Sequence, residues 1–460
     1  MLNELPRHIH IVGIGGIGLS AIAYVLLARG VHVSGSDVYA SAITDELTKR
    51  GAKIFVGHRA ENIGDAELVL ITSAARENNP EIVAARARGI RVDKRYDFFP
   101  TLTAGKKTIA IAGTHGKTTT TAMIAMILLN AGRDPTAVIG GMIPELNGNA
   151  RAGLGEYFVI EADEYERAFL GLAPHIAVVT SIEMDHPDIY NNLDDLTRTF
   201  REFAERVPRA GALIAYGDSE NVARALSGLI SLRYGFSDAN DWRATDIARN
   251  GMGGNDFTVW RAAMRVGDFS LQVPGKHNIL NALAAIAVAD ELQIETNTTR
   301  ATLENFRGAA RRFQVVAEIG GVTIVDDYAH LPTEIRATLS AARERYPNRR
   351  IWAIFQPHTF SRTKILLDEF ARAFDDADRV MICDIYAARE TDDGTVNSNM
   401  IVTRMKHGDA RWIAQVDDAA RVISQDLKPG DVIITLGAGD VNRVGELIRS
   451  TLDPRGFENA

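Results

Sequence analysis

Residues 107–129 constrain this chain more than any other stretch. A short apolar run, residues 108–112, leads into Gly113-Thr114-His115-Gly116-Lys117-Thr118-Thr119-Thr120-Thr121, and an apolar helical stretch follows. That order is strand, phosphate loop, helix. Gly113 and Gly116 permit a tight turn with inward-pointing N–H groups, and the helix start offers its positive dipole end to an anion. Lys117 adds a mobile cation, and the Thr118 hydroxyl is a Mg²⁺ ligand of the usual kind. The full pattern has a glycine five positions before Gly116; here that residue is Ile111, so the loop is a shortened variant.

A chain of 460 residues with 46% hydrophobic content is longer than one core needs, and length alone implies about three domains. The net charge of −8, with basic residues dispersed, argues against a nucleic-acid surface and fits an enzyme that grips anionic ligands locally. A single cysteine, Cys383, excludes an internal disulfide. The apolar stretch 11–27 is interrupted by four glycines in a turn pattern, so neither a leader nor membrane insertion is expected, and a cytoplasmic location is.

Near the start, residues 8–12 read as a strand, followed by Gly13-Ile14-Gly15-Gly16-Ile17-Gly18-Leu19-Ser20 and a helix over 19–29. This is the dinucleotide fingerprint, and Asp37 lies about 20 residues on, where it can bond a ribose or base. An NAD dehydrogenase is one reading. The first domain, expected over residues 1–98, ends where the phosphate loop opens a new one, which favours another nucleotide diphosphate.

The second domain, expected over 99–308, has two acidic strand ends: Glu161-Ala162-Asp163-Glu164 and Glu183-Met184-Asp185-His186. Strand ends of an α/β sheet meet at one edge, so Glu161 and His186 are expected with Thr118 around a metal beside the phosphate loop. Leu193, Leu196, Phe200, Phe203 and Val207 repeat at helical spacing and mark a helix packed on the sheet. Residues 217–268 carry no catalytic pattern and read as a β-rich flank. Asn278 and Asn281 share a helix face; Asn278 either reads an adenine edge or caps the helix over 279–292.

From about residue 309 four buried strands, 322–325, 351–355, 380–383 and 432–436, alternate with helices, which predicts a parallel sheet. Arg311-Arg312-Phe313 stands at the junction, where a guanidinium can reach phosphate. Asp326-Asp327-Tyr328-Ala329-His330 and Gln356-Pro357-His358-Thr359-Phe360-Ser361-Arg362 follow strands.

In this ordered set of motifs the chain resembles the Mur ligases of peptidoglycan precursor synthesis over nearly its whole length. The resemblance implies an α/β protein of three domains: a Rossmann-like UDP-binding domain, a P-loop-type ATPase domain and a C-terminal Rossmann-like domain over 309–460 that closes over both. It implies a UDP-sugar held by Gly13, Gly15, Gly16, Gly18, Ser20, Asp37 and Ser73. ATP falls to residues 113–119 with Asn278, Asn281 and Arg312, and the amino acid to His330, His358 and Arg362. Lys117, Glu161, His186, Arg312 and Asp327 become the catalytic set, and ATP and Mg²⁺ the cofactors. The implied reaction is ATP-dependent amide formation between UDP-N-acetylmuramate and L-alanine through an acyl phosphate, by a monomer or homodimer. A relative that adds a recycled peptide is the alternative, against which the segment 357–362 speaks. Many relatives have His-His-Pro where this chain has His330-Leu331-Pro332, and arginine where it has Thr359, which leaves Arg362 as the main carboxylate clamp. Several hold a second metal with a carbamylated lysine in the central domain, yet residues 187–275 contain no lysine.

Overall fold

The computed structural model describes residues 5–452, in which three open sheets follow one another along the chain. The first is all parallel, in spatial order Lys53–Val56, His32–Asp37, His8–Val12, Leu68–Ile71, Arg91–Asp93. Its central strands His8–Val12 and Leu68–Ile71 are buried at every residue, as a parallel sheet covered on both faces requires.

The second sheet has ten strands, and Lys107–Ala112 lies near its middle between Ile176–Val179 and Tyr157–Glu161, parallel to both. This adjacency brings the two acidic strand ends to the phosphate loop. Antiparallel hairpins built from Trp242–Arg249, Asn255–Arg261 and Met264–Ser270 extend one side, the expected β-rich flank. The helix Leu193–Ala204 carries the predicted apolar stripe except Val207, which lies beyond its end; Phe203 stacks on Phe169 with ring centroids 4.8 Å apart.

The third sheet runs Gln314–Ile319, Val322–Asp327, Val432–Leu436, Ile351–Phe355, Arg379–Ile382, Ala410–Trp412. It is parallel apart from its first strand, which the all-parallel expectation missed. Gly320 and Gly321, with φ of 59° and 78°, make the two-residue hairpin turn that reverses it. Residues alternate between the two faces: Val325, Ala353 and Phe355 enter one core, and Ile324, Trp352 and Ile354 the other. Cys383 is fully buried just past the strand Arg379–Ile382, and burial pushes its thiol up to about 12.

The first two domains share an apolar core. Phe98 and Phe99 pack with Phe158 and Phe169 of the central domain, where truncation of either to alanine costs roughly 3–5 kcal/mol. The boundary drawn after residue 98 therefore falls inside a helix, Arg95–Leu102. The one drawn at 308 falls in the link between the helix Thr296–Glu304 and the strand Gln314–Ile319.

Candidate active site

The phosphate loop is built as its sequence implies. Gly113 and Gly116 adopt φ of 142° and 79°, and a Cβ at Gly116 would stand 2.3 Å from Asn281 Oδ1. Asn281 also accepts a hydrogen bond from Thr120 Oγ1 at 3.2 Å, so its amide braces the loop. The helix Lys117–Asn130 begins directly at the lysine. Lys117 Nζ donates to both carboxylate oxygens of Glu164 at 2.9 Å and to the carbonyls of Gly113 and Thr114. Burial pulls the Lys117 pKa down, but the carboxylates of Glu164, Asp163 and Glu161 raise it more, and the group stays an ammonium.

Two cavities meet at this loop. The smaller, about 230 Å³, lies between central and C-terminal domains and is lined by Thr119, His277, Asn278, Asn281, Tyr216, Tyr234 and Arg312. Asn278 sits in the third position of the helix Lys276–Glu291, which rules out its capping role; Gly275 is the cap. Its amide donates to Pro274 O at 2.7 Å. The larger cavity, about 560 Å³, joins all three domains and is lined by Gly18, Arg95, Lys117, Thr118, Glu161, His186, Arg312, His330, His358 and Arg362. Thus residues singled out from sequence in all three domains line one space.

Glu161 accepts from Thr118 Oγ1 at 3.2 Å and from the Gly140 N–H at 2.8 Å. Two oxygens bound side by side on an octahedral Mg²⁺ lie about 2.9 Å apart, so Thr118 and Glu161 fit that ion. His186, at φ 54°, has a buried Nδ1 with no partner. Asp163 is held at about 2: burial opposes its charge, and Arg95, Lys117 and His186 outweigh burial. Arg95 Nη2 reaches Asp163 at 2.8 Å, joining the first domain to the second.

The C-terminal domain is clasped from two sides. Arg362 Nε and Nη2 donate to Asp185 Oδ1 at 3.0 and 2.7 Å, and Nη1 faces His358 Nδ1 at 3.1 Å. Burial pushes the pKa values of His330 and His358 down to about 4 and about 3, so both are neutral at pH 7. On the other side His115 bridges Glu334 Oε1 at 3.1 Å and Glu183 Oε2 at 3.2 Å. Burial alone would lower its pKa; the two carboxylates outweigh burial and hold it at about 9. Asp327 accepts from the N–H groups of Phe313 and Ala329 at 2.7 and 2.8 Å. Its Oδ2 thus fixes the turn that carries Arg312, whose guanidinium lies 5.0 Å from the Tyr328 ring centre, while Oδ1 fixes the backbone at Ala329. That geometry positions Arg312, and burial pushes the carboxyl of Asp327, which lines the smaller cavity, up to about 6.

The first glycine loop faces two ways. Gly13, Gly15, Gly16 and Asp37 line a separate cleft of about 480 Å³ with His58 and Thr72, whereas Gly18 opens onto the large cavity. Asp37 Oδ2 accepts from the Gly15 N–H at 2.8 Å. Thr72 and Ala74, on either side of Ser73, line that cleft. One expected contact needs correction. Ser20 is buried one turn into its helix, bonded to Ile17 O and to Asn149 of the central domain, and pins two domains together.

Sequence reasoning missed Asp185, Glu164, Glu334, Tyr216 and Tyr234. Asp185 and Glu164 belonged to quoted motifs and Glu334 to none, their partners lie in other segments, and the tyrosines had no signal.

Three α/β sheets in a row, the second carrying the phosphate loop, are the architecture of a three-domain ATP-using ligase family. The chain belongs to the Mur ligase family: residues 8–107 match the Mur ligase family catalytic domain, 111–289 the Mur ligase middle domain, and 311–439 the Mur ligase glutamate ligase domain. It is 46% identical over 451 residues to a UDP-N-acetylmuramate–L-alanine ligase of Geobacter sp. (strain M21), covering 97% of both chains. The structure of a UDP-N-acetylmuramate–alanine ligase from Thermotoga maritima superposes with a TM-score of 0.84 at 32% identity, over 97% of this chain and 99% of the other. A murein peptide ligase from Psychrobacter arcticus gives 0.75 at 27% identity, over 97% and 98%.

Proposed function

We propose that this enzyme joins L-alanine to the carboxylate of UDP-N-acetylmuramate with cleavage of ATP to ADP and phosphate, in the cytoplasm. The observation that carries this reading is the single 560 Å³ space in which Gly18 and Arg95, the phosphate-loop Lys117 and the Arg362 cluster face one another. The UDP moiety spans from the glycine-loop cleft over the start of the helix Ile17–Ala28, whose N–H groups and Arg95 suit a diphosphate. The adenine fits the 230 Å³ cavity against Tyr216 and Tyr234, with the phosphates on residues 113–119.

The muramoyl carboxylate attacks the γ-phosphorus, the bond to the β-phosphate oxygen breaks, and an acyl phosphate forms. The alanine amine then attacks the acyl carbon, and phosphate leaves with the electron pair of the broken C–O bond. Lys117 and Arg312 neutralise the charge that moves between phosphates, and positioning of this kind is most of what phosphoryl transfer needs. Thr118 and Glu161, with His186 beside them, would hold Mg²⁺, which would supply further charge neutralisation there. Neutral His330 and His358 leave Arg362 as the cation that meets the alanine carboxylate. Closure of the C-terminal domain keeps water from the acyl phosphate.

The test is phosphate release from ATP in the presence of UDP-N-acetylmuramate and a panel of amino acids and peptides. L-alanine is expected to give the highest kcat/KM. A preference for a tripeptide over every single amino acid would overturn the reading in favour of a peptide-recycling ligase.

A further inference from the structure

At the amino end of the first sheet, opposite its nucleotide cleft, His8, His32 and Asp65 come together. His8 and His32 are directly paired residues on neighbouring parallel strands, and their rings lie 4.2 Å apart. His8 Nδ1 faces Asp65 Oδ1 at 2.8 Å, and one ligand atom from each of the three residues lies within 4.8 Å of the others. Three ligands of a tetrahedral Zn²⁺ sit about 3.4 Å apart, so small rotations of the exposed His32 and Asp65 side chains suffice.

A second observation points to a cation here. Behind His8 a buried chain runs through the domain: His8 Nε2 to Ser34 Oγ at 2.8 Å, Ser34 Oγ to His10 Nδ1 at 2.8 Å, and His10 Nε2 to Glu81 Oε1 at 3.6 Å. Four contacts separate the carboxylates of Asp65 and Glu81, and each needs one proton. Two neutral imidazoles and one hydroxyl supply three. One junction is therefore left with a lone pair facing a lone pair or a carboxylate, and the fully buried His10 Nε2 has no hydrogen-bond partner. Glu81 cannot relieve it by turning, because Ser36 and Asn62 each hold one of its oxygens at 2.6 Å.

We propose that His8 Nδ1, His32 and Asp65 bind a borderline divalent metal of the Zn²⁺ class. With the metal on Nδ1, His8 donates from Nε2 to Ser34, Ser34 donates to His10, and His10 Nε2–H points at Glu81. Every junction is then filled with both imidazoles neutral, and Ser34 acts as the outer partner that fixes the ligand's tautomer. Nitrogen-rich ligation selects Zn²⁺ over the Mg²⁺ that oxygen donors prefer.

Isothermal titration of the protein with ZnCl₂, in saturating Mg²⁺ and ATP to occupy the catalytic cavity, tests this. One site is expected, weakened at least tenfold by His32→Ala and by Asp65→Asn, both at exposed positions where the fold is indifferent. Ser34→Ala, which leaves all three ligands in place, is expected to weaken it about tenfold, and His407→Ala, in the C-terminal domain, to leave it unchanged. Zn²⁺ affinity equal in wild type, His32→Ala and Asp65→Asn, or no saturable binding below millimolar Zn²⁺, would overturn the proposal.

Discussion

The two glycine-rich loops begin alike, each following a buried parallel strand and opening a helix, yet they hold opposite charges. In the first, the acceptor on the Gly15 amide is the carboxylate of Asp37. In the second, a lysine stands at the helix start with acids behind it, Glu164 on its ammonium and Glu161 on Thr118. A loop whose amide is tied to an acid presents that acid and the donors around it to a nucleoside, whereas a loop with a cation held at the helix start presents charge to phosphates. Glycine spacing fixes only the turn; the charge set beside it selects what is bound.

The sharpest test of this contrast is Lys117→Ala. It is expected to lower kcat by about a thousandfold or more, about 4 kcal/mol, while calorimetry finds UDP-sugar affinity unchanged. Loss of UDP-sugar binding in parallel with activity would break the separation between the loops. Next comes Arg362→Ala, expected to raise the KM for alanine by roughly 30- to 100-fold, about 2–3 kcal/mol, with a much smaller change for ATP. Equal changes in both would move Arg362 to the phosphates. Asp37→Ala sharpens the other side of the comparison: UDP-sugar affinity should drop about tenfold through loss of the Gly15 brace, and the KM for ATP should stay put.

Smaller still is the pH response of the second loop. His115 has its folded pKa raised to about 9, so its contribution is complete below about 6.5, declines as pH rises, and is gone above 9. Between those limits wild type should lose on the order of 1–2 kcal/mol more stability than His115→Gln in thermal melts. Smallest is an expected null effect: degassed enzyme with and without bicarbonate at fixed pH should turn over equally. No lysine exists in residues 187–275 to form a carbamate. A several-fold rescue would direct attention to Lys276.

What sequence revealed and what it hid divide along chain continuity. Loop, strand ends and cores were legible because their signals are local: residues 113–119 read as a phosphate loop, and adjacent strands deliver Glu161 and His186 to it. The clasp of His115 on Glu334, 219 residues away, and of Arg362 on Asp185, 177 residues away, depends on how domains are laid together, which no local pattern encodes. Asp37 and Asp327 illustrate a second limit. Their positions were foreseen, but both turn their oxygens to backbone N–H groups, a choice set by loop geometry.

Cys383 gives the molecule an experimental property of its own. The only sulfhydryl in the chain is fully buried, and burial raises its pKa well above the usual thiol range, which keeps it from alkylating dyes in the folded protein. Cysteines placed at Val38 in the first domain and Ile365 in the third, both more than half exposed, would therefore be the sole labelled sites. Energy transfer between them would follow the outer domains as they approach one another, one substrate at a time, in an otherwise native background.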